Sequence, residues 1–313
     1  MKKIIRKIML ICTLSFGIVT SQVFALTVGI NMLDLSNPFF VMLADEISTQ
    51  LRSQVKGELT IYVHSSAYDL DQQNQQINDF IKKDVDIIFL STSVSDVILP
   101  GVMKAREKGI IVVAVDIESR GVDISITSDN FQAGQLSCQY LVDRLSGVGE
   151  VVIINSWITQ SAPRNRVSGC REVLKQYPRI NLVSYSRNAS GSFSGGMESM
   201  TYLLLKYPNL DAVFTINDPT ALGADEAAQQ SGNNKIIISS VDGSPLFLER
   251  LKSKNSRLVA TAAQFPRIIA QKSVIHALQK LNESSTSHDT ELIPTVLVTS
   301  KNVNEFINWG KTE

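Results

Sequence analysis

Short apolar runs alternate with amphipathic stretches along almost the whole chain, and this alternation limits the fold more than any other feature of the sequence. Strand-like runs begin at Leu26, Leu59, Ile87, Ile111, Val151, Leu182, Ala212 and Ile236. Between them lie helical patterns such as Phe40–Gln54, Gln72–Lys83, Val97–Lys108, Ala133–Leu145, Arg166–Tyr177, Gly196–Tyr207, Thr220–Ser231 and Pro266–Leu281. Buried strands separated by helices of this length predict parallel sheets covered on both faces. A closed eight-fold barrel is the competing arrangement. The segment Asp123–Asp129 argues against it, because Ile111–Val115 and Ile124–Thr127 follow one another with no helix between. A chain that omits the helix there is leaving one sheet for a second. The fold class expected is therefore α/β, as two parallel-sheet lobes.

Residues 1–25 stand apart from this pattern. Lys2, Lys3, Arg6 and Lys7 precede an apolar core from Ile8 to Val19, and Val23-Phe24-Ala25 supplies a small-residue cleavage site. These are the parts of a secretory signal peptide cut near Ala25. The apolar core is short for a membrane span, and Cys12 with Ile11 before it is a poor lipoprotein context. The mature chain of about 290 residues is expected to be exported and soluble, with material for two cores.

Export decides how the cysteines read. Cys12 leaves with the signal, and Cys138 with Cys170 remains as an even pair in an oxidising compartment, which suggests a disulfide between helices flanking one strand. Thirty basic and thirty acidic residues give a net charge of zero, with no basic stripe to suit nucleic acid.

In parallel α/β sheets, ligands bind beyond the carboxyl ends of strands. Those positions here carry Asn37 with Phe39 and Phe40, then Ser91 to Ser93, Asp116, and Asp129 with Asn130. Further on come Asn155 with Trp157, Gln160 with Arg164, Asn217 with Asp218, Asp242 and Gln264. Amides donate and accept, carboxylates accept, and guanidinium donates in a fork, so together they satisfy the hydroxyls of a polyhydroxylated ligand. Aromatic faces cover its C–H surface. Taken singly, each polar group also serves as a helix cap or loop residue, and Phe39 and Phe40 as core. Their agreement across most strand ends is what points to a binding cleft.

Enzyme chemistry finds no such support. His64, His276 and His288 are scattered, with no nucleophile arrangement beside them. No metal-ligand spacing and no phosphate-cradling glycine loop follows a strand, so neither a metal nor a cofactor is expected. A secreted glycosidase could nominate Asp116 and Asp242 as its carboxylates.

Ser36-Asn37-Pro38-Phe39-Phe40, Val115-Asp116, Ser128-Asp129-Asn130, Phe214-Thr215-Ile216-Asn217-Asp218 with Ala221-Leu222-Gly223-Ala224, and Val241-Asp242-Gly243 run in order along the mature chain. In this the chain resembles the periplasmic sugar-binding proteins of the ribose-binding type, the substrate-binding components of ABC transporters. The resemblance implies two similar lobes joined by three crossovers, with 26–128 and 265–294 in the first and 129–264 and 295–313 in the second. It implies a monomer that closes about a hinge on its ligand and delivers it to a membrane permease. Carried over, Asn37, Asp116, Phe39 and Phe40 would hold ligand from the first lobe. Asn130, Arg164, Asn217 and Asp242 would do so from the second, with Gln264 at a crossover and Phe193 as a second aromatic. Two arginines common in ribose-type members are replaced here, by Ile117 and by Ser194-Gly195, while Trp157 is gained. Hexoses, cyclitols and linear polyols therefore stand beside ribose. A sensory module docking a membrane sensor is the alternative use of the same architecture. A repressor of related architecture is excluded, because the export signal occupies the place of its DNA-binding segment.

Overall fold

The computed structural model describes residues 25–156, 160–253, 255–282, 289–306 and 309. Residues 1–24 of the expected signal peptide, Trp157 and His288 lie outside these residues. The chain runs β1 (Leu26–Met32), α1 (Pro38–Gln54), β2 (Leu59–Ser65), α2 (Leu70–Lys82), β3 (Ile87–Leu90), α3 (Ser95–Glu107), β4 (Ile111–Val115) and β5 (Ile124–Ser128). It continues through α4 (Asn130–Arg144), β6 (Gly149–Asn155), α5 (Ser161–Leu174), β7 (Ile180–Asn188), α6 (Phe193–Lys206), β8 (Ala212–Thr215) and α7 (Asp218–Gln230). The last part is β9 (Ile237–Asp242), α8 (Pro245–Leu251), β10 (Leu258–Ala263), α9 (Pro266–Asn282), β11 (Asp289–Ile293) and β12 (Val296–Thr299).

These strands form two sheets, ordered β11-β5-β4-β3-β1-β2 and β12-β10-β9-β8-β6-β7. The two-residue side-chain period of a strand explains why both faces are covered. In β3, Ile87 and Phe89 enter the core beneath α1 and α9, while Ile88 and Leu90 enter the core beneath α2 and α3. In β6, Val152 and Ile154 face the cluster of α6 and α7, and Val151 and Ile153 face that of α4 and α5. Burying one such side chain fully contributes about 1.5–3 kcal/mol before entropy is counted, so each sheet is held from both sides.

The chain crosses between lobes after β5, after β10 and between β11 and β12. Asp129 donates its N–H to the Ile293 carbonyl at 2.8 Å, tying two crossings together. Both the N–H and the hydroxyl of Thr295 reach Gln132 Oε1, at 2.7 and 3.0 Å. β12 departs from the expected parallel sheet and runs antiparallel to β10. The reason is geometric. The parallel strands of both sheets end at the cleft, so a strand entering directly from the cleft must run the other way.

Cys138 and Cys170 are joined as a disulfide linking α4 to α5, both fully buried. The two helices lie unusually close. A Cβ at Gly134 would run into the Arg166 carbonyl oxygen, and one at Gly169 into that of Phe131.

Candidate functional site

The loops beyond the strand ends enclose a cavity of about 90 Å³ between the lobes. The first lobe supplies Leu33, Asn37, Phe39, Phe40, Tyr68, Asp116 and Ile117. From the second come Gln160, Arg166, Ser190, Gly191, Asn217 and Asp242, with Gln264 at the crossover.

Local sequence explains most of these placements. Asn37 caps α1, its Oδ1 accepting from Phe39 N at 3.0 Å, with Pro38 in the first turn. This turn presents Phe39 and Phe40 to the cleft, edge to face, with centroids 5.7 Å apart. Both rings are also largely buried, so core and cavity wall are one role here. Asn217 caps α7 through Thr220 N at 3.2 Å, and its Nδ2 donates to the Gly191 carbonyl at 2.8 Å.

The charged centre is built around Arg166. Its Nη1 lies 3.3 Å from Asp242 Oδ1 and donates to the Ile216 carbonyl at 2.8 Å. Its Nε donates to Asn130 Oδ1 at 2.7 Å, while Asn130 Nδ2 reaches Thr127 Oγ1 and the Ser128 carbonyl. Asn130 therefore stands behind the arginine and holds it, rather than lining the cavity. Gln264 Nε2 donates to Asp242 Oδ1 at 2.8 Å, and Asp218 N donates to Asp242 Oδ2 at 3.2 Å. Asp218 sits one layer deeper, accepting from Thr261 Oγ1 at 2.9 Å and Ser244 N at 2.7 Å.

Burial sets the titration of these acids. It pushes Asp116 up to about 7, against the pull of Arg166 and with help from Asp242. It raises Asp242 as well, opposed mainly by Arg166, and raises Asp218, where Asp242 adds to the effect. Burial and then Asp34, Asp116 and Asp242 push Tyr68 up to about 12.

Strain gathers at the same place. Tyr68 (φ 62°), Asp116 (φ 68°), Ser190 (φ 53°) and Asp242 (φ 133°) all line the cavity with positive φ. Side-chain-bearing residues rarely take this conformation, and such outliers concentrate at ligand sites.

Of the residues singled out from the sequence, Asn37, Phe39, Phe40, Asp116, Asn217, Asp242 and Gln264 meet at this cavity. Arg164 does not. It is exposed and lines a neighbouring groove with Glu118 and Ser161. The expected helix began at Arg166, whereas α5 begins at Ser161. From that start, Ala162, Arg166, Cys170 and Val173 share the buried face, and Arg164 points away from it. Phe193 opens α6 with 45% of its surface exposed and lies off the cavity. The cavity also takes Tyr68, from the loop after β2, and Arg166, which the sequence pattern puts at a helix start and the structure puts on the buried face of α5. Among the described residues, no group of three or more His, Cys, Asp or Glu could hold a metal, and no helix is long and apolar enough to cross a membrane.

A family model described as a periplasmic binding protein domain matches residues 28–284. The chain belongs to the periplasmic binding protein family. This periplasmic binding protein is 30% identical over 247 residues to the ribose import binding protein of Bacillus subtilis, covering 78% of each chain. It is 28% identical over 274 residues to the D-apiose import binding protein of Actinobacillus succinogenes, covering 86% of this chain and 87% of that one. Among solved structures, an ABC transporter solute binding protein from Bacillus halodurans with bound myo-inositol matches at a TM-score of 0.82 and 23% identity, over 91% of this chain and 98% of that one. One from Agrobacterium vitis with bound allitol matches at 0.83 and 22%, over 90% and 98%.

Proposed function

We propose that this periplasmic binding protein captures a small neutral sugar, cyclitol or linear polyol between its lobes and delivers it to an ABC import permease. One observation carries the ligand class. Asp116 Oδ1 and Gln264 Oε1 line the cavity, are buried, and have no hydrogen-bond partner among the described residues. Each orphan acceptor costs about 1–3 kcal/mol, so hydroxyl donors from a ligand recover that energy on binding. Two carboxylates facing one guanidinium disfavour an anionic ligand.

Closure assembles the site, since Asp116 and the two phenylalanines come from one lobe and Arg166, Asn217 and Asp242 from the other. Glu118 N of the first lobe donates to Ser161 Oγ of the second at 3.3 Å. Ligand bound by both lobes favours the closed arrangement, which a permease can then read. The relatives named as import binding proteins support the import role; that it is exercised as a monomer in the periplasm and without turnover of the ligand is part of the proposal.

A thermal-shift screen of the mature protein against D-ribose, D-apiose, D-allose, myo-inositol, allitol and glycerol tests the reading. A ligand that binds only the native state raises the Tm, and one strong responder is expected. A flat response across the panel would move the site outside polyol chemistry.

A further inference from the structure

Trp309 lies beyond the last strand, yet only 7% of it is exposed. Its ring meets Phe39 edge to face, with centroids 5.1 Å apart and planes at 71°. Its Nε1 donates to the Asp242 carbonyl at 3.1 Å. The Trp309 carbonyl accepts from Arg267 Nε at 2.9 Å, and Arg267 Nη1 pairs with Glu46 of α1 at 2.7 Å. One side chain thus touches a ring wall of the cavity from the first lobe and the backbone of a cavity carboxylate from the second.

The backbone contact falls where it matters. Asp242 has a φ of 133° and is followed by Gly243 at 72°. Its carbonyl takes two donors, Gln264 N at 3.0 Å and the indole N–H. A carbonyl held from two sides restrains the Asp242–Gly243 peptide plane, and with it the backbone from which the Asp242 carboxylate projects into the cavity. Nearby, Phe306 packs on Phe265 with centroids 6.0 Å apart, which anchors the tail before it reaches the site.

We propose that Trp309 is a positioning residue of the ligand site: it holds the Asp242 peptide in its strained conformation and backs the Phe39 ring, so that the C-terminal tail sets the geometry of the cleft along with the hinge. This rests on reading the cleft as the polyol site. A residue that merely plugs the core would need its ring and not its N–H, and that difference is testable.

Trp309→Phe keeps an aromatic ring and removes the donor, while Trp309→Ala removes both. D-ribose, D-allose, myo-inositol and allitol serve as probes by calorimetric titration, with Tm recorded for every protein. The expected result is a Kd raised about fivefold to tenfold in W309F, a larger rise in W309A, and a Tm for unliganded W309F within about 3 °C of wild type. In the wild-type protein, the assigned indole N–H cross-peak of Trp309 should shift on saturation with the responding probe. That measurement stands even if the variants fold poorly. A wild-type Kd in W309F, or an indole signal unmoved by ligand, overturns the role of the tail. No response of the wild type to any probe overturns the polyol reading, and this proposal with it.

Discussion

Asp116 carries two burdens, a left-handed backbone and a carboxyl kept from water. With its pKa raised from 3.8 to about 7, the folded chain between those values holds a proton that the unfolded chain has released. The stability from that proton is full below pH 3.8 and is lost as pH rises through about 7. Unliganded protein should therefore lose on the order of 1 kcal/mol per pH unit across that window from this group. Asp116→Asn should flatten that part of the slope, and urea unfolding of both proteins at pH 5 and pH 7.5 checks it. The difference between the two curves reports Asp116 together with its coupling to Asp242, while the raised values of Asp218 and Asp242 act in the same direction in both proteins. Asp116 was legible in the sequence because it directly follows a buried strand and agrees with the polar residues at most other strand ends. Its companion Tyr68 was not, since a tyrosine three residues past β2 carries no such signal.

At the scale of the element, the phase of α5 decides which arginine serves the site. Arg166→Met removes the partner of Asp242 from a buried site and should cost about 3–5 kcal/mol of stability as well as ligand affinity. Arg164→Met alters an exposed side chain and should change stability by less than about 0.5 kcal/mol. Denaturant midpoints and Kd values of the two variants give the comparison, and equal effects would mean the register is wrong. The helix starts earlier than its sequence pattern predicts for a physical reason. Ser161-Ala162-Pro163 resembles a loop, but proline is tolerated in a first helical turn, where its missing N–H has no partner to lose. The edge strand β11 lacks the apolar run of an interior strand for a related reason. Thr290 and Glu291 are polar, and Glu291 pairs with Lys272 and His276 on α9 instead of entering a core.

Across the whole molecule the two lobes are alike in topology but not in covalent bracing. The disulfide of Cys138 and Cys170 spans 32 residues within the second lobe, and the chain-entropy relation gives it a contribution of about 3–4 kcal/mol. Replacing both cysteines by alanine should lower the melting temperature measurably while leaving ligand binding intact at low temperature. An unchanged melting temperature would show that the cross-link contributes nothing. The alternation of strands and helices made two sheets readable in advance, but the missing helix between Ile111–Val115 and Ile124–Thr127 does not mark the change of sheet, because β4 and β5 pair within the first sheet and the chain crosses only after β5. The tail was not readable, because Trp309 owes its place to partners 42 residues and more away in sequence. Both sheets receive an outermost strand late, the first from β11 and the second from β12, within residues 289–299. A growing polypeptide therefore cannot finish either half until nearly all of it has been synthesised.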